Sequence, residues 1–468
     1  MGKIMGRFIL PHPPILVPEV GGEEARLGQK TLTAFATIGQ EIARLQPDTI
    51  IITSPHAPCF NHCFYINENS RCSGDLAQFG NKKILLGFDT DLDLIELIKK
   101  RASVKSLKSG SVPLSMLKRY GFTYDLDHGI IVPLYFINHF YSNYKLIPLG
   151  LTARGPQEHY LMGEAIAEAI AESDKKVVVI ASGDMSHKLK EDGPYGFDPQ
   201  GPIFEAMIEN LLQKGDIYGI LNLDPALEEQ AAQCGLYSIQ ILCGTLSGYT
   251  MKAEVLSHEG PFGVGYLIAR VEQGEPAEEN YLAKYLQQRQ QDLSALIHQE
   301  APALALARMA LAHYLDCGKE LPIPSNLPRE FLTESGGAFV CFKKAGDLRG
   351  CIGTLTATQP NLAAEIVNNA IAAGTKDLRF SPITPGEINS LQVSVDIIGP
   401  LEEIEGVEDL NPQQYGVVVS CNGKRGVLLP NLEGVNTAEE QIKIAREKAG
   451  IPFYKKIKLQ RFEVMRYE

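Results

Sequence analysis

Along the first 270 residues, short runs of aliphatic and β-branched residues alternate with longer stretches whose apolar positions recur at helical spacing. "RFIL" (Arg7–Leu10), "TIIITSP" (Thr49–Pro55) and "KVVVIAS" (Lys176–Ser182) carry few polar interruptions and predict buried strands. "HYLMGEAIAEAIAES" (His159–Ser173) predicts an amphipathic helix. "QCGLYSIQILCGTLSG" (Gln233–Gly248) predicts a buried helix lined with small residues, in which Cys234 and Cys243 read as packing groups. Strands and helices taken in turn predict an α/β domain with a largely parallel sheet.

The pattern changes after Arg270. "EQGEPAEENYLAKYLQQRQQDL" is polar and reads as a partly helical connector over residues 272–297, between a first domain of residues 1–271 and a second of residues 298–468. The second domain opens on a helix, "APALALARMALAHYLDCG". Near its end "FYKKIKLQRF" (Phe453–Phe462) alternates like a strand with one charged face. A chain of 468 residues suits two or three cores, and 44% apolar with 21% charged residues is the composition of a folded globular protein.

Charge and cysteine content narrow the function classes. A net charge of -12 argues against a nucleic-acid surface. No stretch approaches the apolar length of a membrane span, and the amino terminus lacks a signal-peptide core, so a cytoplasmic protein is expected. Nine cysteines in such a chain do not suggest a disulfide framework. The group His56, Cys59, His62 and Cys63 in "SPHAPCFNHCF" lacks the second arm of a structural zinc site.

Four histidines of the first domain share a context. His12 follows "RFIL", His56 follows "TIIITSP", and His187 follows "KVVVIASGDMS"; His128 precedes the apolar run "GIIVPLYF". Ligands of open α/β sheets gather outside the carboxyl ends of strands, where three of these rings stand. Prolines beside His12 and His56 reduce the conformational freedom lost in holding the rings, as suits metal ligands. Asp184 in "SGDMSH" reads equally as a carboxylate orienting an imidazole or as a turn cap. His62, His139 and His159 read as structural. "FGVGYL" reads as glycines where a strand passes close to another backbone.

"PHPP", "SPHAP", "DHGIIVPL" and "SGDMSH", in this order, resemble the class III extradiol dioxygenase (LigB-like) superfamily, which includes the Memo-like proteins. The resemblance implies that His12 and His56 bind a divalent metal, usually Fe(II), with Zn(II) or another ion as the alternative. A carboxylate from "AEVLSHEGPFGVGYLIAR" would complete the set: Glu259 first, then His258 or Glu254. Two imidazoles and a carboxylate form a facial triad that leaves positions open for a catechol-like substrate and dioxygen. His187 is then implied as general base and acid, and His128 as a hydrogen-bond partner of a substrate oxygen.

In the second domain, "LRGCIG" (Leu348–Gly353) places Arg349 near the thiol of Cys351. A guanidinium there could lower the thiol pKa for nucleophilic or redox work, but the sequence also fits a packed turn with a buried thiol. With "TKDLRFSPIT", "LQVSVDIIGPLEEI" and "KRGVLLPNLEGVNTAEEQIKIAREKAGI", the hexapeptide is similar to the AMMECR family. That likeness implies an α+β fold with a cleft near Arg349, Cys351, Asp377 and Arg379, of which the last two fit an ion pair equally well. The pairing of the two families in one chain further implies a radical S-adenosylmethionine (radical SAM) protein as a possible partner. No membrane and no nucleic acid are expected to bind.

Overall fold

The computed structural model describes residues 1–432 and 434–468, and of Cys317 the backbone alone. It divides into two compact units, Met1–Arg289 and Gln290–Glu468.

In the first unit six strands form one sheet: β1 (Lys3–Leu10), β2 (Thr49–Ser54), β3 (Lys145–Gly150), β4 (Lys176–Ser182), β5 (Tyr249–Glu259) and β6 (Tyr266–Pro276), in the order β3-β2-β4-β1-β6-β5. The pairs β3/β2, β2/β4 and β4/β1 are parallel, whereas β6 lies antiparallel to β1 and β5. All six residues of β2 are buried because both faces of the sheet are covered. Ile50 and Ile52 pack with helices α1 (Gln29–Leu45) and α2 (His128–Asn138) through Phe35, Ile38, Ile131 and Leu134. Ile51, of opposite parity, packs with Ile166 of α3 (Pro156–Glu172) and Ile241 of α5 (Leu236–Gly244) on the other face. Helix α4 (Gln200–Lys214) contributes Phe204 and Ile208 to the same side.

Helices α3 and α5 touch through glycines. A Cβ on Gly163 would lie 2.0 Å from the Ile241 carbonyl oxygen and 2.7 Å from Gly244 Cα. Backbone on both sides cannot step aside as a side chain would, so Gly163→Ala should destabilise the unit by about 1–3 kcal/mol, read as a lowered denaturant midpoint at unchanged slope.

In the second unit helix α7 (Pro302–Cys317) and helix α8 (Leu362–Thr375) pack against a sheet of β7 (Ala338–Lys344), β8 (Asp347–Gly353), β9 (Leu391–Ile398) and β14 (Val464–Tyr467), in the order β8-β7-β9-β14. A second sheet, β10 (Glu402–Ile404), β11 (Gly416–Cys421), β12 (Lys424–Leu428) and β13 (Lys458–Phe462), runs β10-β13-β11-β12. Its strands β11 and β12 are joined by Asn422-Gly423, both at positive φ (49° and 80°), as a tight two-residue hairpin requires. Every pairing in these two sheets is antiparallel, and the unit is α+β.

The hexapeptide "LRGCIG" is strand, not a turn. It runs within β8, where Cys351 stands opposite Cys341 of β7, and the two are joined as a disulfide. The cysteine count did not anticipate that bond, and residues opposite each other across a hairpin are the pairs its closure brings nearest.

Candidate metal centre

Strands β2, β4 and β1 are neighbours and parallel, so their carboxyl ends open side by side. His56 leaves β2 two residues after Ser54, His12 leaves β1 two residues after Leu10, and the segment Gly183–His187 follows β4. The fourth ring arrives from a helix: His128 opens α2, and the Asp127 carboxylate caps that helix by accepting from the Gly129 amide at 2.7 Å and the Ser54 hydroxyl at 2.6 Å.

Among the described residues, His12, His56 and His128 form the one group of three candidate ligands, each offering an atom within 4.8 Å of the others. The His12 and His56 Nε2 atoms are 2.9 Å apart, and the His56 and His128 rings stack with centroids 4.2 Å apart. Ser182, the last residue of β4, settles the tautomer of His12. Its hydroxyl donates to the Gly129 carbonyl at 2.5 Å, so at 2.9 Å from His12 Nδ1 it must accept. The proton therefore sits on Nδ1, and the Nε2 lone pair faces the cluster. A metal ligand needs that state.

Electrostatics agree. Burial lowers the pKa of His12 well below the ordinary histidine value, and the other three imidazoles add to the effect. Burial and the neighbouring His56 lower His128 to about 3 and His187 to about 4. His56 is also lowered by burial, with Asp127 opposing. All four rings are neutral at pH 7 and can donate lone pairs.

Two further groups approach His12 Nε2: Cys234 Sγ at 3.7 Å and Asp184 Oδ2 at 3.8 Å. Asp184 is buried, its pKa is raised by that burial to about 7, and its Oδ1 accepts the His12 amide at 2.8 Å. The Cys234 thiol is pushed up by burial and by Asp184. Neutral imidazoles, that of His12 with its lone pair fixed, beside a carboxyl and a thiol that a cation would ionise, fit a divalent metal. Substituting Ser182 by Ala should free the His12 tautomer and weaken metal affinity about 10–100-fold, measured by chelator competition.

His187 lies within electrostatic reach of His12 and His56, with its ring 5.0 Å from Tyr195. Its Nε2 is buried and has no hydrogen-bond partner. The segment carrying it is tied down on several sides. Gly265 exchanges backbone bonds with Met185 and Ser186, and Glu205 of α4 accepts the Ser186 amide. A Cβ on Gly265 would strike the Glu205 carboxylate, so a larger residue there would have to displace the group that accepts the Ser186 amide.

The carboxylate expected from "SHEG" is placed elsewhere. Glu259 accepts from the Thr31 amide and hydroxyl at 2.8 and 2.7 Å, in the first turn of α1. His258 is held between Glu205 and Glu209, and Glu254 pairs with Arg270. None of these belongs to the imidazole cluster. Asp127 was legible as a cap directly before His128, whereas nothing local marked Ser182 or Cys234, which lie 170 and 222 residues from His12. His62, His139 and His159 are occupied by Arg154, the Tyr135 carbonyl and the Gly155 carbonyl.

In the second unit Arg349 does not serve the Cys351 thiol. Its guanidinium takes both Glu387 carboxylate oxygens at 2.9 and 3.1 Å and the Ser381 carbonyl at 2.5 Å. Asp377 accepts the Cys351 amide at 3.0 Å and pairs with Arg379, whose guanidinium also donates to the Cys351 carbonyl. Arg379, with the amides, holds the Asp377 carboxyl below the usual range. Cys351, Asp377 and Arg379 thus form one backbone-anchored group, with Arg349 on a separate ion pair.

Comparison with known proteins is consistent with this architecture. Residues 6–269 match the family model of the catalytic LigB subunit of aromatic ring-opening dioxygenase, and residues 304–468 match AMMECR1. A protein of Clostridium acetobutylicum is 38% identical over 467 residues, covering 100% of this chain and 99% of that protein. One from Thermotoga maritima is 44% identical over 171 residues, 36% of this chain and 98% of its own length. A crystal structure of a Pyrococcus horikoshii protein aligns with 30% identity over 35% of this chain and 88% of that one, at a TM-score of 0.33. The chain belongs to the LigB family and joins its LigB domain to an AMMECR1 domain in one polypeptide.

Proposed function

We propose that the LigB domain is a non-haem, Fe(II)-dependent oxygenase of the extradiol ring-cleaving kind, acting on a catechol-like small molecule, and that the AMMECR1 domain binds the substrate or a partner. The observation that carries this reading is the buried, unpartnered Nε2 of His187 beside a cluster of neutral imidazoles. A buried polar atom left without a partner costs stability, and a substrate hydroxyl would supply one.

His12 and His56 hold the ion in this reading, with Asp184 in place of Glu259 as the carboxylate. The metal would lower the pKa of a bound hydroxyl and leave positions for substrate and dioxygen. His187, neutral at pH 7, accepts the hydroxyl proton and later returns it. His128, stacked on His56 and edged by Phe79 at 5.0 Å, donates to a substrate oxygen. Protein loaded with Fe(II) without oxygen and then exposed to it with a panel of catechols should consume oxygen and form ring-opened product. Uptake no greater than that of free Fe(II) across the panel would count against the reading.

A second reading rests on Cys234, whose sulfur stands as close to His12 Nε2 as the Asp184 carboxylate. Thiolate ligation would suit a metal-binding, Memo-like protein that acts in assembly or modification with a radical SAM partner. Cys234→Ala separates the two: it should release the ion under the second reading and leave it bound under the first.

A further inference from the structure

The chain has 56 acidic residues against 44 lysines and arginines, so a surface cation normally has a carboxylate close by. A groove of about 880 Å³ in the second unit departs from this. Lys424, Arg425, Lys456 and Lys458 line it with Ser420 and Gln460, and no carboxylate is among its lining residues. Among the described residues none of the four cations has an ion-pair partner. Lys424 reaches only the Gly450 carbonyl at 2.7 Å, and Arg425 reaches Gln460 at 3.5 Å.

Strand register explains the convergence of Arg425 and Lys458, whereas Lys424 pairs with Cys421 and falls on the other face, its ammonium turned to the Gly450 carbonyl. Arg425 pairs with Ser420, and Ser420 with Lys458, which places all three in one row on one face of the sheet; Gln460 follows two residues along β13 on that face. The opposite face, with Val417, Val419 and Leu428, is covered by helix α9 (Ala438–Lys448) through Ile442 and Ala445. Arg425, Lys456 and Lys458, like charges gathered without compensation, repel one another, and a bound anion removes that repulsion. The turn that runs into Lys456 carries two aromatic rings in the open, Phe453 at 87% and Tyr454 at 71% exposure. Tyr454 is two residues from Lys456, no more than about 7 Å of chain. Cations for phosphate with flat apolar faces for a base are the two halves of nucleotide recognition. The net charge of -12 belongs to the whole chain, and at physiological salt the field inside the groove is set by charges within about 8 Å.

We infer that this groove binds a nucleoside phosphate, its phosphates on Arg425, Lys456 and Lys458 and its base on Tyr454 or Phe453. The unit is supplied either by single-stranded RNA or by a free nucleotide. The test uses the full chain and fluorescence anisotropy with a labelled 12-nucleotide RNA and, separately, a fluorescent ATP analogue. At least one probe should bind with an affinity that falls as salt rises. The double variant Lys456→Glu/Lys458→Glu should weaken binding about tenfold or more, the milder Lys456→Gln/Lys458→Gln by less, and Lys118→Glu, an exposed lysine of the first unit, not at all. Tyr454→Ala with Phe453→Ala should cost about fivefold or more at an unchanged salt slope. RNA that the ATP analogue cannot displace assigns the strand as the source, and tight binding of the analogue with the same variant sensitivity assigns the free nucleotide. Failure of both probes at low salt, or binding indifferent to the lysine variants, overturns the inference. So does equal competition by polyglutamate without any effect of the aromatic variants, which would make the groove a site for an acidic polypeptide.

Discussion

His12→Ala should leave the LigB domain folded and unable to retain a divalent ion. The wild-type chain is expected to keep one ion per molecule through dialysis against a weak chelator, and the variant essentially none, a loss in affinity well beyond the roughly 10–100-fold expected for an outer partner such as Ser182. The lone pair on His12 Nε2 faces His56, Asp184 and Cys234 together, so removing this ring takes away the one donor common to every ligand set the cluster allows. The backbone bond from the His12 amide to Asp184 survives the change, which argues for an intact local fold. Metal content by elemental analysis, with circular dichroism as the control for folding, decides the matter. A variant that binds metal as tightly as wild type would place the ion elsewhere.

His187→Gln should separate binding from chemistry. The ring is unpartnered at Nε2 and is not among the clustered ligands, so the variant should hold the ion at wild-type stoichiometry. If His187 moves the substrate proton, kcat should fall about 10²–10⁴-fold, the usual contribution of a positioned acid–base group. The pH dependence carries a second signature. A base must be neutral to accept, and burial lowers the His187 pKa to about 4, so kcat/KM for the wild type should decline as pH falls through that value. The variant should lack this limb. Equal turnover by variant and wild type would remove His187 from the mechanism, and a loss of metal would make it a ligand.

The histidine framework could be read from the chain because its causes are local. An uninterrupted apolar run predicts a strand covered on both faces, such strands lie parallel, and parallel strands open their carboxyl ends on one side of the sheet. "TIIITSP" and "KVVVIAS" met these conditions, and His56, His12 and the segment bearing His187 leave neighbouring strands as a result. Helix α3, read from "HYLMGEAIAEAIAES", was equally local and begins at Pro156, where proline suits a first turn. The α+β character of the second domain came from resemblance, since its short strands carry little pattern of their own.

Non-local causes were beyond reach. Glu259 looked suitable because the family resemblance implies a carboxylate near the end of the domain, yet Thr31 lies 228 residues away in sequence and claims its carboxylate. The glycines of "LRGCIG" fit close backbone approach, and in β8 the backbone at Gly350 passes so near Ala373 that a Cβ would lie 2.2 Å from its carbonyl oxygen, but this approach is made from a strand and not from the packed turn that the sequence also fits. Tight packing, not reversal of direction, requires that glycine. The basic face of "FYKKIKLQRF" was visible as alternation, while its meeting with Arg425 depends on which strands pair.

The sequence by itself thus determined the two-family organisation, through motifs that resemble each family, and the parallel sheet of the first domain with the strand ends from which three of the four imidazoles project, since the sheet and its exits follow from short-range periodicity and from the histidines placed after the strands. Tertiary structure alone decided which tautomer His12 adopts, that Asp184 and Cys234 and not Glu259 stand beside it, and that Cys351 meets Cys341. Each of these depends on where distant backbone carbonyls, amides and side chains fall once burial has drawn the strands and helices together, and hydrogen bonds act only over about 3 Å.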